Sequence, residues 1–270
     1  MRRPLTAPTR RPIRLRPVRP NAGLTAAYQR RLDAEIDRMA AHVIAAIQTC
    51  YIRKPPRLAA DESPAAALKA TLAALARDWT ARFDALAQGA GRKFARDATA
   101  AADRSFAAAL KHAGFTVDFH LTPAVNDVLQ ATIAEQVGLI KSISAEYLTQ
   151  VEGSVMRSVQ VGRDLYLLSQ ELQDHHGVTK RRAAFIARDQ NEKSTATITR
   201  ARQQELGITQ AIWLHSFGAR HPRPTHLANN GKLYDTATGW LDPAINKRIW
   251  PGTEINCGCV SRSVIPGMGR

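Results

Sequence analysis

The residues best suited to chemistry lie near the end of the chain, where Cys257 and Cys259 flank a single glycine. His221 and His226 precede them. Thiolate and imidazole are the ligands that zinc prefers, four of them in a tetrahedron. Because a glycine between two cysteines lets the backbone bend tightly, both sulfurs can reach one ion. The sequence therefore predicts a zinc site formed by these four residues, with His215 as a spare candidate.

The spacing of these residues leaves a metal-free alternative open. Standard zinc patterns contain Cys-x-x-Cys twice, or once with paired histidines, and neither occurs here. In the alternative, His226 and the two cysteines pack and hydrogen-bond inside a small module without metal. A disulfide between Cys257 and Cys259 is disfavoured, because so short a loop is strained. Three cysteines in 270 residues also argue against a disulfide framework and favour a reducing compartment.

The same stretch allows one catalytic interpretation, a metal-dependent nuclease centred on His226 with Asn229 or Asn230. Such a site needs a general-base histidine beside a metal held by further histidine, aspartate or asparagine ligands. The last histidine of a His-Asn-His pattern is absent. Neither a Gly-rich phosphate loop nor a serine or thiol protease signature occurs in the sequence. We therefore expect a protein that is not an enzyme, with the nuclease as the alternative.

Long helices precede this region. Over residues 24–51, apolar residues recur at steps of three and four, which predicts an amphipathic helix. Pro64 and Pro123 each follow a serine or threonine, a combination typical of a helix start. The helix after Pro64 is rich in alanine, and Gly114 is its predicted stop. Long helices with narrow apolar seams are typical of a bundle or an antiparallel hairpin.

The composition changes at Gly207. Before it, we expect a short helix over residues 163–175 that Gly177 ends, and then two further helices. After it, alanine nearly vanishes and "ITQAIWLH" predicts a strand. The predicted fold is mainly α, with an elongated helical bundle or hairpin body over residues 24–206 and a small C-terminal α+β module over 207–270. So small a module has little core of its own, and a metal would help to hold it.

Residues 1–23 form a basic segment with five prolines and no acidic residue. Its seven arginines are Arg2, Arg3, Arg10, Arg11, Arg14, Arg16 and Arg19. Proline prevents regular pairing and the arginines repel one another, so we expect a disordered arm. Because the net charge of +15 attracts polyanions, the arm is predicted to contact nucleic acid or an acidic partner. A solvated leader without a specific contact is the alternative. No apolar stretch is long enough for a membrane anchor.

Several C-terminal residues resemble, in order and spacing, the phage Mu protein F-like family of minor head, or head morphogenesis, proteins. The matching residues are Trp213, the run from His221 to His226, Gly231, Pro251, Gly252, Asn256, Cys257 and Cys259. The upstream "RRAAFIARDQNEKSTATITRARQQELGI" is also similar to the helix pair of that family. The resemblance covers roughly residues 160–265. One departure is Gly258, where family members often carry arginine.

The resemblance implies a minor capsid protein of a tailed bacteriophage, assembled in the cytoplasm of the host bacterium. It implies a place inside the head near the portal vertex, and a role in head assembly and in DNA packaging or ejection. The implied partners are the portal protein and capsid or scaffold proteins, and the basic charge suits packaged DNA. A non-viral nucleic-acid-binding protein, supported by the arginine arm, is a further alternative.

Overall fold

The computed structural model describes residues 12–52, 64–161, 164–217 and 222–266. Its long helices are α1 (Ala22–Ile52), α2 (Pro64–His112), α3 (Pro123–Gln160) and α4 (Leu165–Glu205). The remaining elements are β1 (Ile13–Arg14), β2 (Gln210–Leu214), α5 (Pro224–Ala228), β3 (Leu233–Asp235), β4 (Trp240–Asp242), β5 (Lys247–Ile249) and β6 (Val260–Ile265). The predicted class, mainly helical with a small C-terminal module of helix and strands, is confirmed. Within the described ranges, no helix combines the length and the apolar character needed to cross a bilayer.

The chain divides into two compact units. The first, here called the helical unit, comprises Gly23–Phe94 and Thr132–Arg188. The second, here called the sheet unit, comprises the described residues of Met1–Ala22, Ala95–Ala131 and Asp189–Arg270. Helices α2, α3 and α4 therefore contribute segments to both units. The predicted boundary near residue 207 marks a change in composition, whereas the units follow packing.

The helical unit has an apolar core. The predicted stripe of α1 is buried, and its members are Tyr28, Leu32, Ile36, Met39, Val43 and Ile47. Tyr28 stacks on Phe94 of α2 with ring centroids 4.5 Å apart, and its hydroxyl donates to Gln136 of α3 at 2.7 Å. Trp79 of α2 donates its ring N–H to His42 of α1 at 3.1 Å. Large apolar side chains at helical spacing therefore define this unit.

Helix α4 differs from its prediction. The expected break at Gly177 is wrong, because the helix continues from Leu165 to Glu205. On either side of that glycine, His176 Nε2 lies 2.7 Å from Asp37 of α1, and Lys180 Nζ lies 3.0 Å from the same carboxylate. Glycine inside a helix costs only about 1 kcal/mol relative to alanine. Leu172 and Ala183 are also buried on either side of Gly177, and burial of this kind offsets the penalty.

The sheet unit contains a four-stranded antiparallel sheet with the strand order β1-β6-β2-β3, and a separate β4–β5 hairpin. In the sheet, Ala211 of β2 pairs with Ser263 of β6 and with Tyr234 of β3. Gln203 of α4 donates to the hydroxyls of Ser261 and Ser263 at 2.9 Å and 2.8 Å. These hydrogen bonds fix α4 against the central strand β6.

The prediction of a disordered arm is wrong for residues 12–23. Ile13 and Arg14 pair with β6, and Leu15 and Val18 are only 2% and 4% exposed. The local sequence explains this order, because apolar residues alternate with arginines and one side can pack while the other stays solvated. Prolines are tolerated here since β1 is an edge strand. Arg2, Arg3, Arg10 and Arg11 lie outside the described residues.

Candidate metal centre

His226 lies at the middle of the short helix α5. Pro224 occupies the start of that helix, where its fixed φ and missing N–H are tolerated. The imidazole is buried, with 2% of the residue exposed. Its Nδ1 lies 3.5 Å from Cys257 Sγ and 3.8 Å from Cys259 Sγ. The predicted histidine and both predicted cysteines therefore meet in the folded chain.

Aromatic residues surround this group. Trp213 of β2 is fully buried, and its ring meets the His226 ring edge to face with centroids 5.1 Å apart. The same indole contacts Trp240 at 5.4 Å and Tyr234 at 6.1 Å. The buried cluster is small, and its members are Ala211, Trp213, Tyr234, Ile249, Cys257 and Cys259. A core of this size supplies little apolar stabilisation by itself.

The loop that carries the cysteines is anchored on α4. Gly252 has a φ of +85°, and a Cβ there would lie 2.9 Å from Ala196 Cβ and 3.0 Å from the Cys259 carbonyl oxygen. Only glycine allows this approach without strain. Farther along the loop, the Asn256 N–H donates to the buried carboxylate of Asp189. The Pro-Gly pair of the sequence motif thus brings both thiols to the histidine.

The three side chains fit a metal ion. Their ligand atoms all lie within 4.8 Å of one another, and all three residues are buried. Zinc binds sulfur at about 2.3 Å and nitrogen at about 2.0–2.1 Å, so tetrahedral geometry puts nitrogen and sulfur about 3.6 Å apart. The observed separations of 3.5 Å and 3.8 Å are close to that value. The group could therefore hold a metal ion with little rearrangement.

The two thiols share their protons unequally. The hydrogen bond from Cys259 lowers the pKa of Cys257, although burial opposes the shift. The same hydrogen bond and burial raise the pKa of Cys259. The two directions are opposite because the thiols share one hydrogen bond. Because a metal binds thiolates, its binding would release protons to solvent.

The sequence predicts His221 as the fourth ligand, with His215 as the spare candidate. His221 lies outside the described residues. His215 Nδ1 accepts the Phe217 N–H at 2.9 Å, so a neutral ring carries its proton on Nε2. Burial lowers the pKa of His215, which favours that neutral form. His215 is not among the three residues whose ligand atoms lie together, and its role as a spare ligand stays a prediction.

A cavity of about 20 Å³ adjoins the group. Its lining residues are His215, Ser216, Pro222, Arg223, His226, Asn256, Cys257, Gly258 and Cys259. This volume is about that of one water molecule, which suits an ion. There is little room for a side chain at position 258, because a Cβ on Gly258 would lie 2.9 Å from Ser216 Oγ. An arginine there, as the family often has, would require Ser216 to move.

The residues of the nuclease interpretation have other contacts. His226 directs Nδ1 to the thiols, and Asn230 accepts the His215 backbone N–H at 2.9 Å. Asn229 is buried at the end of α5.

Sequence reasoning missed two buried carboxylates that support the group. Asp242 Oδ2 lies 3.5 Å from His226 Nε2, and Asp189 holds the cysteine loop. Asp242 is followed by a proline, and its local sequence therefore predicts only a turn. Asp189 lies within the matching helix segment, but nothing in its local sequence marks a contact with Asn256.

Two comparisons with known proteins found a match. The family model described as Phage Mu protein F like protein matches residues 149–262. A curated protein of Haemophilus influenzae, described as uncharacterized, is 34% identical over 144 residues. The match covers 53% of this chain but only 31% of that relative. No solved structure matches the chain. Residues 149–262 match the Phage Mu protein F-like domain, and the resemblance noted in the sequence is confirmed for this part of the chain.

Proposed function

We propose that this chain is a structural, non-enzymatic minor head protein of a tailed bacteriophage. It lies inside the head near the portal vertex and takes part in head assembly and in DNA packaging or ejection. The observation that carries this proposal is the Mu F-like domain over residues 149–262. The proposed partners are the portal protein and capsid or scaffold proteins, which it meets in the host cytoplasm during assembly.

The candidate metal site formed by His226, Cys257 and Cys259, here called the metal group, has a structural role in this proposal. Zinc is the proposed ion, held by His226, Cys257 and Cys259, with His221 as the fourth predicted ligand. The ion cross-links α5 to the start of β6, and so adds the stabilisation that the small aromatic core lacks. The burial of all three side chains and the ion-sized cavity support a structural role over a catalytic one.

The ordered part of the basic segment supplies a contact for packaged DNA. Arg14, Arg16 and Arg19 are exposed, while Leu15 and Val18 between them are buried. Arg16 also lies beside His112 at the end of α2, with Nη2 and Nε2 3.4 Å apart. Guanidinium groups on a fixed backbone form charge-assisted hydrogen bonds with phosphates. The arginines outside the described residues extend the same basic stretch in sequence.

The test of the assembly role is association with the portal. The full chain is co-expressed with the portal protein of the phage or prophage that encodes it, and complexes are separated by size. We expect co-elution, and a few copies per particle by quantitative mass spectrometry of purified procapsids. Failure to associate with the portal, together with absence from procapsids, would overturn the proposal.

The nuclease alternative has a separate test. The zinc-loaded chain is incubated with linear and single-stranded DNA, with magnesium and without it. We expect no cleavage by the wild type. Cleavage that the His226→Ala variant loses while its helical content is retained would replace the structural role with a catalytic one.

The DNA contact is measured as a salt dependence. Binding to duplex DNA is followed between low and physiological salt, because the slope counts the phosphates neutralised. Changing Arg14, Arg16 and Arg19 to glutamine is expected to reduce the slope by up to about 3. The control changes three other exposed arginines, Arg30, Arg77 and Arg181, and removes the same charge. Equal losses in both variants would show a nonspecific charge effect and no contact by the arm.

A further inference from the structure

The two ring nitrogens of His226 face different groups. Nδ1 faces the two thiols. Nε2 is buried without a hydrogen bond in the structure, and Asp242 Oδ2 lies 3.5 Å from it. Both side chains are only 2% exposed. A carboxylate is therefore buried directly behind the imidazole, on the side opposite the proposed metal position.

A neutral imidazole carries one proton, and its position decides which nitrogen can bind a metal. With the proton on Nε2, the Nδ1 lone pair is free to act as a ligand. With the proton on Nδ1, an N–H points at the sulfurs and the ligand is lost. A buried carboxylate beside Nε2 favours the first tautomer, because it is an acceptor and not a donor.

We propose that Asp242 is a positioning residue, which holds the proton of His226 on Nε2 and thereby keeps Nδ1 available as the metal ligand. The inference rests on the proposed zinc site and assigns the group that prepares one of its ligands. Carboxylates that hold the second nitrogen of a metal-bound histidine typically change metal affinity 10–100-fold when they are replaced.

The carboxylate of Asp242 is itself held in place. Its Oδ1 accepts the Ala244 N–H at 3.0 Å in the turn between β4 and β5. Its Oδ2 accepts the Thr225 hydroxyl at 3.2 Å from α5. Both oxygens therefore act as acceptors on opposite sides. An asparagine has the same shape, but its amide NH₂ would face either the Ala244 N–H or the Nε2–H of His226.

The Asp242→Asn variant tests this assignment with two readouts. Long-range proton–nitrogen NMR of the metal-free protein reports which nitrogen of His226 carries the proton. Competition with a coloured chelator reports the affinity for zinc. We expect the proton on Nε2 in the wild type, a shift toward Nδ1 in the variant, and zinc binding weakened 10–100-fold.

One variant serves as the matched control. Asp235→Asn makes the same chemical change at an exposed residue, whose Oδ1 accepts the Ala237 and Thr238 N–H groups. An asparagine oxygen can accept both. We expect the wild-type tautomer in this control and zinc affinity within a few-fold of the wild type.

The outcomes separate this inference from the zinc proposal. If the wild type binds zinc and Asp242→Asn binds it equally well with an unchanged tautomer, the role of Asp242 is overturned and the zinc site stands. If the wild type binds no zinc but Asp242→Asn shifts the proton of His226 from Nε2 to Nδ1, the zinc proposal is overturned. The control of the His226 tautomer by Asp242 then still stands. If the variant does not fold, the wild-type spectrum decides, because a proton on Nδ1 contradicts the inference.

Discussion

The helix α4 runs through both units of the protein and is buried differently in each. In the helical unit, α1 and α2 bury large apolar side chains such as Met39, Trp79 and Phe83. In the sheet unit, the second half of α4 buries polar residues instead. These residues are Asp189, Gln190, Asn191, Ser194, Thr195, Thr199, Arg202 and Gln203. One helix thus changes from apolar packing to hydrogen bonding along its length.

This difference shows which features of the sequence specify the fold of each unit. An apolar core depends on volume and periodicity, and similar side chains can replace one another. A buried polar group depends on its particular partner, because an unsatisfied one costs about 1–3 kcal/mol. Arg202 shows the second case. It donates to Asp103 at 2.8 Å and 2.7 Å and to the His120 carbonyl oxygen at 2.8 Å. Conservative replacements are therefore expected to be tolerated less well at the buried polar positions of α4 than in the apolar core.

The largest expected effect comes from removing the metal ligands. In the Cys257→Ser/Cys259→Ser variant, we expect loss of about one zinc per chain and faster hydrogen exchange of the C-terminal strands. The binding free energy of a structural metal adds to the stability of the module that holds it. Elemental analysis and hydrogen exchange of peptides from residues 208–266 measure both effects. Peptides from α1 should exchange as in the wild type.

The matched control for this variant is Cys50→Ser in the helical unit. Cys50 is half-buried beside Thr71 and takes no part in the metal group. It should keep the zinc content and the exchange of the C-terminal strands. Zinc retained in the double variant would show that the ion binds elsewhere.

The next largest effect is expected in the core of the helical unit. Phe83 is fully buried and meets Trp79 edge to face, with centroids 6.4 Å apart. Phe83→Ala should lower the free energy of unfolding by about 3–5 kcal/mol, because it leaves a cavity. Chemical denaturation measures the loss, and Arg77→Ala at an exposed position should change it by at most about 0.5 kcal/mol. The zinc content of Phe83→Ala should stay unchanged. A loss of zinc would show that the stabilities of the two units are not independent.

A pair of glycine substitutions sharpens the comparison. Gly252→Ala is expected to destabilise the sheet unit by about 1–3 kcal/mol, because φ is +85°. Gly138 lies inside α3, and a Cβ there would meet nothing within 4 Å. Gly138→Ala should therefore stabilise the helical unit by about 0.5–1 kcal/mol. Thermal unfolding and hydrogen exchange of both variants measure the effects. If both substitutions raise the stability, or both lower it, the structure is contradicted at one of the two glycines.

The smallest effect is a dependence on pH. Burial raises the pKa of Glu205, but hydrogen bonds from Thr122 and Arg202 outweigh it, and the net shift is downward. A lowered folded-state pKa means stability that is present above the ordinary value of 4.5 and is lost as the pH falls through the folded value. Glu205→Gln should therefore be less stable than the wild type at pH 7, and the two should converge in acid. Denaturation at several pH values measures this, with exposed Asp174→Asn as the control. A difference that persists unchanged in acid would contradict it.

The helical unit could be predicted well from the sequence, because its signal is local. The apolar stripe of α1 follows from periodicity. In the sheet unit, the start of α3 at Pro123 is equally local and follows from capping. The expected break at Gly177 could not be judged locally, because the continuity of α4 depends on tertiary packing, which includes contacts of His176 and Lys180 with Asp37.

The candidate site was predictable only in part. Cys257, Cys259 and His226 follow from the chemistry of their side chains, and the structure brings them together. Asp242 could not be found, because its proximity to His226 depends on the packing of the β4–β5 hairpin against α5. The order of residues 12–21 also depends on a distant partner strand. Long-range pairing of this kind leaves no periodic signal in a single sequence.

The pairing of β1 with β6 has a consequence for synthesis on the ribosome. Ile13 is opposite Ile265, so the partner of β1 is made about 250 residues later. At about 5–20 residues per second, that interval is on the order of 10–50 s. During this time the basic segment has no strand to pair with, while α1 can already form. The sheet must therefore close late, after most of the helical residues have been made.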